Sequence, residues 1–184
     1  MILNYNTKGL LGLIVFLLAS SVYCQKHEKI YTSTNILEVY KNTDESLIHY
    51  ENQLNTGWGL ELNSLHGFYI LRKFVLSAGL GINLNINENY RAIPAIVELK
   101  FHFSDYGINS PYVLLNTGKN IKIGSFQPGQ TAKLGFGYNF ESDYIFQYTI
   151  EFFKKSKTYY TSESLDVNYN YRANGYGISV GITF

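Results

Sequence analysis

Hydrophobic and polar residues alternate along most of this chain. In FVLSAGLGINLNI, Phe74, Leu76, Ala78, Leu80, Ile82, Leu84 and Ile86 share one face of an extended strand. Apart from Val75, the other face is small or polar: Ser77, Gly79, Gly81, Asn83 and Asn85. The same period of two recurs elsewhere. Leu54, Trp58, Leu60 and Leu62 oppose Asn55, Gly57, Gly59, Glu61 and Asn63. Ile93, Ala95, Val97, Leu99, Phe101 and Phe103 oppose Glu98, Lys100 and His102. Ala132, Leu134, Phe136, Tyr138 and Phe140 oppose Lys133, Gly135, Gly137 and Asn139. Tyr144, Phe146, Tyr148, Ile150 and Phe152 oppose Gln147, Thr149 and Glu151, and Tyr176, Ile178, Val180, Ile182 and Phe184 oppose Gly177, Ser179, Gly181 and Thr183.

Two further segments are strand-like with weaker patterning. Lys29–Lys41 barely alternates, and Pro111–Lys119 has an ambiguous facing. With them the pattern predicts eight strands, over 29–41, 53–66, 73–87, 91–103, 111–119, 130–140, 143–157 and 166–184. The stretch VNYNYRANG runs in the opposite phase to the end of its strand, which predicts a bulge or a wide loop edge near Arg172 to Gly175. Short connections are expected near 67–72, 104–110 and 141–142, and loops on the opposite side near 42–52, 88–90, 120–129 and 158–165.

The composition sharpens this picture. Seventeen Tyr, 12 Phe and 16 Gly among 184 residues, with three Pro, favour strands and close packing over helices. The polar faces hold Gly, Ser, Thr and Asn with isolated charges, which suits the crowded inside of a small barrel better than a wet surface. The apolar faces are large and have no second layer elsewhere in the chain to cover them. A strand crossing a bilayer at steep tilt needs about 9–11 residues, alternating apolar-out and polar-in. The expected fold is therefore all-β: an eight-stranded antiparallel up-and-down transmembrane β-barrel. Candidate interfacial aromatics are Phe74, Phe101, Phe103, Tyr112, Phe140, Tyr144 and Phe184 at one end, and Trp58, Tyr90, Tyr159 and Tyr160 at the other.

Residues 1–24 read as a secretory signal peptide, leaving 25–184 as the barrel domain. Lys8 supplies the positive charge, Gly9–Ser21 an apolar stretch, and Val22 and Cys24 the residues before a cleavage preceding Gln25. A lipoprotein alternative would acylate Cys24, but Tyr23 stands where that processing prefers a small residue. Without Lys8 the 15 basic residues fall to 14, matching the 14 acidic ones. That balance carries no nucleic-acid footprint, and with Cys24 removed no disulfide can form.

The chain resembles the small outer-membrane β-barrel domain family of Gram-negative bacteria over about residues 29–184. The resemblance rests on LHGFYILRKFVLSAGLGI, IPAIVELKF and the terminal GYGISVGITF. It implies a cell outer membrane location, with outer-membrane lipid and the barrel insertion machinery as partners. That machinery would read Tyr176, Ile178, Val180, Ile182 and Phe184. The resemblance implies almost no defined activity, and the oligomeric state is left open.

Glu61, Glu98, Lys100, His102, Lys133, Glu151 and Lys155 are expected to point into the barrel as structural lumen charges, each with a partner, because a lone buried charge is costly. His102–Phe103–Ser104 is similar to the His-x-Ser of outer-membrane lipid A deacylases, which makes a hydrolase using His102 and Ser104 an alternative. Asn116 stands where those enzymes carry their acid, and Ser104 falls at the inner end. A second alternative is a secreted lipocalin-like barrel binding an apolar ligand, which requires the large residues to face inward. His27, His49 and His66 have no metal-ligand spacing. GLGIN and GFGYN lie in mid-strand with no helix after them, so they are not phosphate loops. No catalytic residue, metal site or cofactor is expected, and the acidic Asn42–Ser46 run reads as a solvated loop.

Overall fold

Alternation at period two becomes eight antiparallel strands in the computed structural model. The structure describes residues 31–47, 57–85, 91–123, 128–142, 146–161 and 169–184. The strands are β1 (Tyr31–Leu47), β2 (Trp58–Leu71), β3 (Phe74–Asn85), β4 (Arg91–His102), β5 (Ser110–Ile121), β6 (Gly129–Glu141), β7 (Gln147–Thr161) and β8 (Tyr169–Thr183). Each pairs with its sequence neighbours, and β8 pairs back onto β1 to close the barrel. Closure continues through Phe184: its N–H donates to the Ser33 carbonyl at 2.8 Å, and Ser33 N–H donates to the Phe184 carbonyl at 3.2 Å.

The ladders also set the tilt. Register partners traced once around the barrel lead from Phe101 through Val113, Phe136, Phe152, Ile178, Val39, Leu60 and Leu84 to Arg91. The trace returns to β4 ten residues from its start, since 101 − 91 = 10. With ordinary strand spacing and rise, that shear on eight strands tilts them by roughly 40°. Arg72–Lys73, the 103–109 connection, Glu141 and Gln147 lie at the end that also holds Tyr31 and Phe184, here termed the inner end.

Several boundaries differ from the sequence expectation. β1 continues to Leu47, because past a register shift between Asn42 and Asp44 it still pairs with β8, down to Leu47 opposite Tyr171. The predicted bulge therefore falls on β1. The β7–β8 ladder is unshifted from Thr183 to Tyr169. β2 runs to Leu71, and its hairpin closes at Arg72–Lys73, because Phe68 and Ile70 extend the outward apolar series. β7 starts at Gln147. The ambiguous β5 puts Tyr112, Leu114, Asn116 and Asn120 inside and Val113, Leu115 and Ile121 outside.

The facing read from β3, β4, β6 and the last part of β8 is the one observed. Large apolar side chains cover the outside, including Leu37, Leu80, Leu99, Leu134, Phe152 and Ile178. The inside is mostly polar, with a small apolar cluster of Ile36, Leu65 and Ile96. Aromatic contacts on the outside gather at the inner end: Phe74 with Phe101 at 4.9 Å between centroids, Tyr138 with Phe140 at 4.7 Å, and Phe146 with Phe184 at 6.1 Å. Tyr112 does not join them; it lies inside with 1% exposure. Trp58 is exposed at the other end. Tyr90 and Tyr144, the whole of residues 1–30 with Cys24 and His27, and His49 lie outside the described residues, and the side chains of Tyr159 and Tyr160 are likewise not described.

Interior glycines make room for interior rings. A Cβ on Gly59 would sit 1.9 Å from Cζ of Tyr40, and one on Gly137 would sit 2.6 Å from Cζ of Tyr112. Both rings belong to the polar interior described below, so neither can simply swing away. Gly59→Ala is expected to destabilise the barrel by about 1–3 kcal/mol through overpacking. Ala78→Val, on the outer face of β3, should be close to neutral. Urea unfolding of the two variants refolded in micelles compares them directly, and equal losses would contradict the packing of Tyr40 against Gly59.

Candidate functional site

The strands place charged residues at positions flanked by outward apolar neighbours. Glu98 lies between Val97 and Leu99, Glu151 between Ile150 and Phe152, and Glu61 between Leu60 and Leu62. Because side chains alternate, anchoring those neighbours outside forces each carboxylate into the interior. All seven residues expected in the lumen point there: Glu61, Glu98, Lys100, His102, Lys133, Glu151 and Lys155 are each buried.

Six of the seven join one continuous chain of ion pairs with Glu38 and Lys157. Lys100 Nζ is 3.3 Å from Glu98 and 3.2 Å from Glu151. Glu151 is 2.9 Å from Lys133, whose Nζ is 2.7 Å from Glu38. Glu38 is 2.6 Å from Lys155, and Lys155 is 2.7 Å from Glu61. Lys157 closes the series 3.3 Å from Glu61. Acid and base alternate without a break from Glu98 to Lys157, four of each sign, so every charge is neutralised by its neighbours and the chain as a whole is neutral.

Neutral groups complete the coordination. Asn63 Nδ2 donates to Glu38 at 3.1 Å and to Glu61 at 3.0 Å, and Asn83 also donates to Glu61. The Tyr112 hydroxyl donates to Glu151 at 2.9 Å and the Ser179 hydroxyl at 2.7 Å. Asn116, at the position where a deacylase acid was sought, instead donates to Glu98 at 3.4 Å. Lys157 donates to the Tyr40 hydroxyl and lies 3.9 Å from the centre of that ring. Phe153 offers its face to Lys133 at 5.0 Å. These contacts account for the inward Tyr40, Tyr112 and Phe153: each supplies a hydroxyl to a charge, a π face to an ammonium, or both.

Glu38 and Lys157 were missed from the sequence. Glu38 sits between Leu37 and Val39, the same apolar–acid–apolar signal as Glu98, but within a segment whose alternation is otherwise faint. Lys157 fell at the predicted end of its strand, where β7 in fact continues.

His102 stands apart from the ion pairs. Its ring packs 5.1 Å from Tyr112 and 6.1 Å from Tyr69 at the inner mouth, and its Nδ1 is buried without a hydrogen-bond partner among the described residues. Ser104 donates its hydroxyl to the Ile108 carbonyl at 2.8 Å. No hydrogen bond joins His102 to Ser104 among the described residues, so the structure does not assemble the hydrolase pair. The connection following Ser104 folds over this mouth through a 3₁₀ turn at Asp105–Gly107, held by Tyr69 Oη on the Tyr106 carbonyl at 2.8 Å and Asn139 Nδ2 on the Gly107 carbonyl at 3.1 Å. Gly107 has φ +65°, and a Cβ there would meet the His102 ring at 2.8 Å, so glycine serves both the turn and the packing. His66 accepts or shares a hydrogen bond with the Tyr31 hydroxyl at 2.7 Å, on the outer face. Among the described residues no group of acids, histidines and cysteines is placed to hold a metal ion.

A buried ion pair is costly to break from one side, since the remaining charge is left without its partner. Lys133→Met takes one of two lysine partners from both Glu38 and Glu151, leaves the buried network one positive charge short, and is expected to destabilise the barrel by about 3–5 kcal/mol. Adding Glu38→Gln should recover part of that loss, because the network then again holds as many lysines as carboxylates. Urea unfolding in micelles of the two single variants and the double variant gives the coupling energy, and strict additivity would contradict the contact.

No known family model matches this sequence, and no curated protein does. Solved structures match in shape. Outer membrane protein AlkL, determined by solid-state NMR in DMPC bilayers, aligns with a TM-score of 0.53 at 11% identity, covering 88% of this chain and 94% of AlkL. The N-terminal β-barrel domain of Pseudomonas aeruginosa OprF aligns at 0.42 and 15% identity, covering 82% and 97%. Neisserial surface protein A aligns at 0.46 and 10% identity, covering 85% and 99%. At such identities the likeness concerns fold alone, and only the AlkL match is close enough to carry it. The chain is an eight-stranded, closed, up-and-down β-barrel, similar in fold to the outer membrane protein AlkL.

Proposed function

We propose that this protein is an outer-membrane β-barrel with a structural or surface-interaction role and no catalytic chemistry. The observation that carries the reading is the inversion of its two faces. Outside, Leu80, Val97, Leu115, Leu134, Phe136 and Ile178 are each half exposed or more, or nearly so, in a band around the wall. Inside, eight charged side chains are buried among the described residues. A soluble barrel with an apolar ligand needs the reverse arrangement, so the lipocalin-like alternative loses its basis. Strands of 12 to 17 residues exceed the roughly 9–11 that a tilted strand needs to cross a bilayer. A signal peptide ending at Cys24 would deliver the chain for export.

Fractionation of cells making the native protein tests the location, with recovery in the outer membrane expected. Soluble protein in the periplasm or medium would overturn it. Leu80→Arg adds a test of the lipid-facing wall. It should cost about 2–4 kcal/mol in lipid vesicles if Leu80 lies near mid-bilayer. Wild-type folding yield for this variant would count against lipid contact at that position.

The closing strand is proposed to carry the signal for insertion, through Tyr176, Ile178, Val180, Ile182 and Phe184. Tyr176, Ile178, Val180 and Ile182 point outward, where a partner could read them. Deleting Phe184 would also remove its two backbone hydrogen bonds with Ser33, so Phe184→Ala is the cleaner probe. The ring should be worth about 1.5–3 kcal/mol at most. Refolding in detergent should therefore survive, with heat-modifiable migration retained, while the outer-membrane yield in cells falls. Wild-type yield in cells would remove Phe184 from the signal.

A further inference from the structure

The outer wall is not uniformly greasy. Across β4–β7, Leu99, Leu115, Leu134 and Lys154 form one row of register partners. The next row toward the loop end is Val97, Thr117, Ala132 and Ser156, and the one after it Ala95, Lys119, Gln130 and Thr158. Two rows of mostly small or polar residues thus sit directly beyond a row holding three leucines. They leave a groove of about 530 Å³ in the outer surface.

Three cations border this groove. Lys119 lines it, Lys154 lies in the row beneath, and Arg172 on β8 is the register partner of Thr158. All three are exposed. Arg172 Nε donates to Ser156 Oγ at 3.4 Å, which leans it toward the groove, and Lys154 Nζ lies 5.7 Å from the Tyr176 ring. The acids of β4–β8 are Glu98 and Glu151, both inside, and Glu141 at the inner end. Among the described side chains, the charges bordering the groove are therefore positive, where the apolar band gives way to polar residues.

We propose that this groove seats a phosphorylated lipid of the surrounding leaflet, with an acyl chain over Ala95, Thr117 and Ala132 and the phosphate among Lys119, Lys154 and Arg172. A dent in a lipid-facing wall is filled by chains of the lipid itself, and the cations stand at headgroup depth, where an anionic lipid offers their counter-charge. A second copy docked by two-fold symmetry is disfavoured, because it would bring the three cations against themselves. The inference rests on the membrane reading above.

The test uses the full chain refolded in dodecylmaltoside micelles. It is titrated with bisphosphorylated lipid A, with the same lipid stripped of phosphate, and with inorganic phosphate, and adducts are measured by native mass spectrometry. Lipid A should bind, and dephosphorylation should weaken binding on the order of tenfold or more. Lys119→Gln, Lys154→Gln and Arg172→Gln combined should weaken it on the order of a hundredfold, about fivefold or 1 kcal/mol per cation. Ala132→Leu, which fills the groove and keeps the wall apolar, should weaken it as well. Lys73→Gln, on the inner turn, should change nothing. Heat-modifiable migration checks that each variant is folded. Equal binding of both lipids, or an inert Ala132→Leu, would overturn the proposal. So would displacement by equimolar inorganic phosphate, which would mark a free-anion site, or an equal loss with Lys73→Gln, which would mark unspecific attraction. The two readings fail separately: protein found in the outer membrane but indifferent to lipid phosphate loses only the lipid seat.

Discussion

Everything in this barrel is arranged around an unbroken acid–base chain through its interior, from Glu98 to Lys157. Eight charges are held away from solvent, and none could be there alone. An isolated ammonium or carboxylate in such a place costs several kcal/mol after relaxation. The alternation of sign offsets that cost, because each inner member touches two opposite charges. Asn63, Asn83, Tyr112 and Ser179 then take up lone pairs that the lysines leave unfilled. The chain draws on β1, β2, β4, β6 and β7, so it links walls that the hydrogen-bond ladders join only by way of their neighbours.

The closed wall makes this interior possible and is in turn constrained by it. A shear of ten residues on eight strands leaves a narrow lumen. Large inward groups must then be matched by small ones on adjoining strands. Tyr40 packs where Gly59 has no side chain, Tyr112 where Gly137 has none, and Phe153 where Gly177 has none. At the inner mouth the turn after Ser104 packs against His102 and Tyr69. The outer wall carries what is left: apolar residues that no other described residue covers. That is why the same alternation that fills the lumen also argues for a lipid surround.

The charges of the interior and those of the outer wall follow different rules. Inside, every lysine has a carboxylate within 3.3 Å, and the sum is zero. On the outside of β4–β8, Arg91, Lys119, Lys154 and Arg172 face outward, with no acid among the described side chains of that wall above the inner end. An interior must neutralise itself, whereas a surface can leave its charge to be met by a neighbour.

The amino-acid sequence by itself determined the strand count, the antiparallel order and the facing of the strongly alternating strands, because period-two patterning is a local property that any extended backbone turns into two faces. It also determined that Glu61, Glu98, Lys100, Lys133 and Glu151 point inward, since each has apolar neighbours that go outward, and that Lys155 does so in phase with Glu151. Tertiary structure alone decided which carboxylate meets which lysine. Those pairs span up to 117 positions of sequence, as between Glu38 and Lys155, and their geometry depends on register and shear, which no single strand encodes. The same holds for Tyr112, read as an interfacial aromatic from its place near a strand end. It faces inward because β5, apolar on both sides, has its facing settled by its pairing with β4 and β6. The bulge moved from β8 to β1 for a related reason: a phase conflict seen in one strand can be relieved in its partner. Glu38 was hidden because the alternation of β1 is faint, and that strand owes its full length to the two neighbours that close the barrel on it.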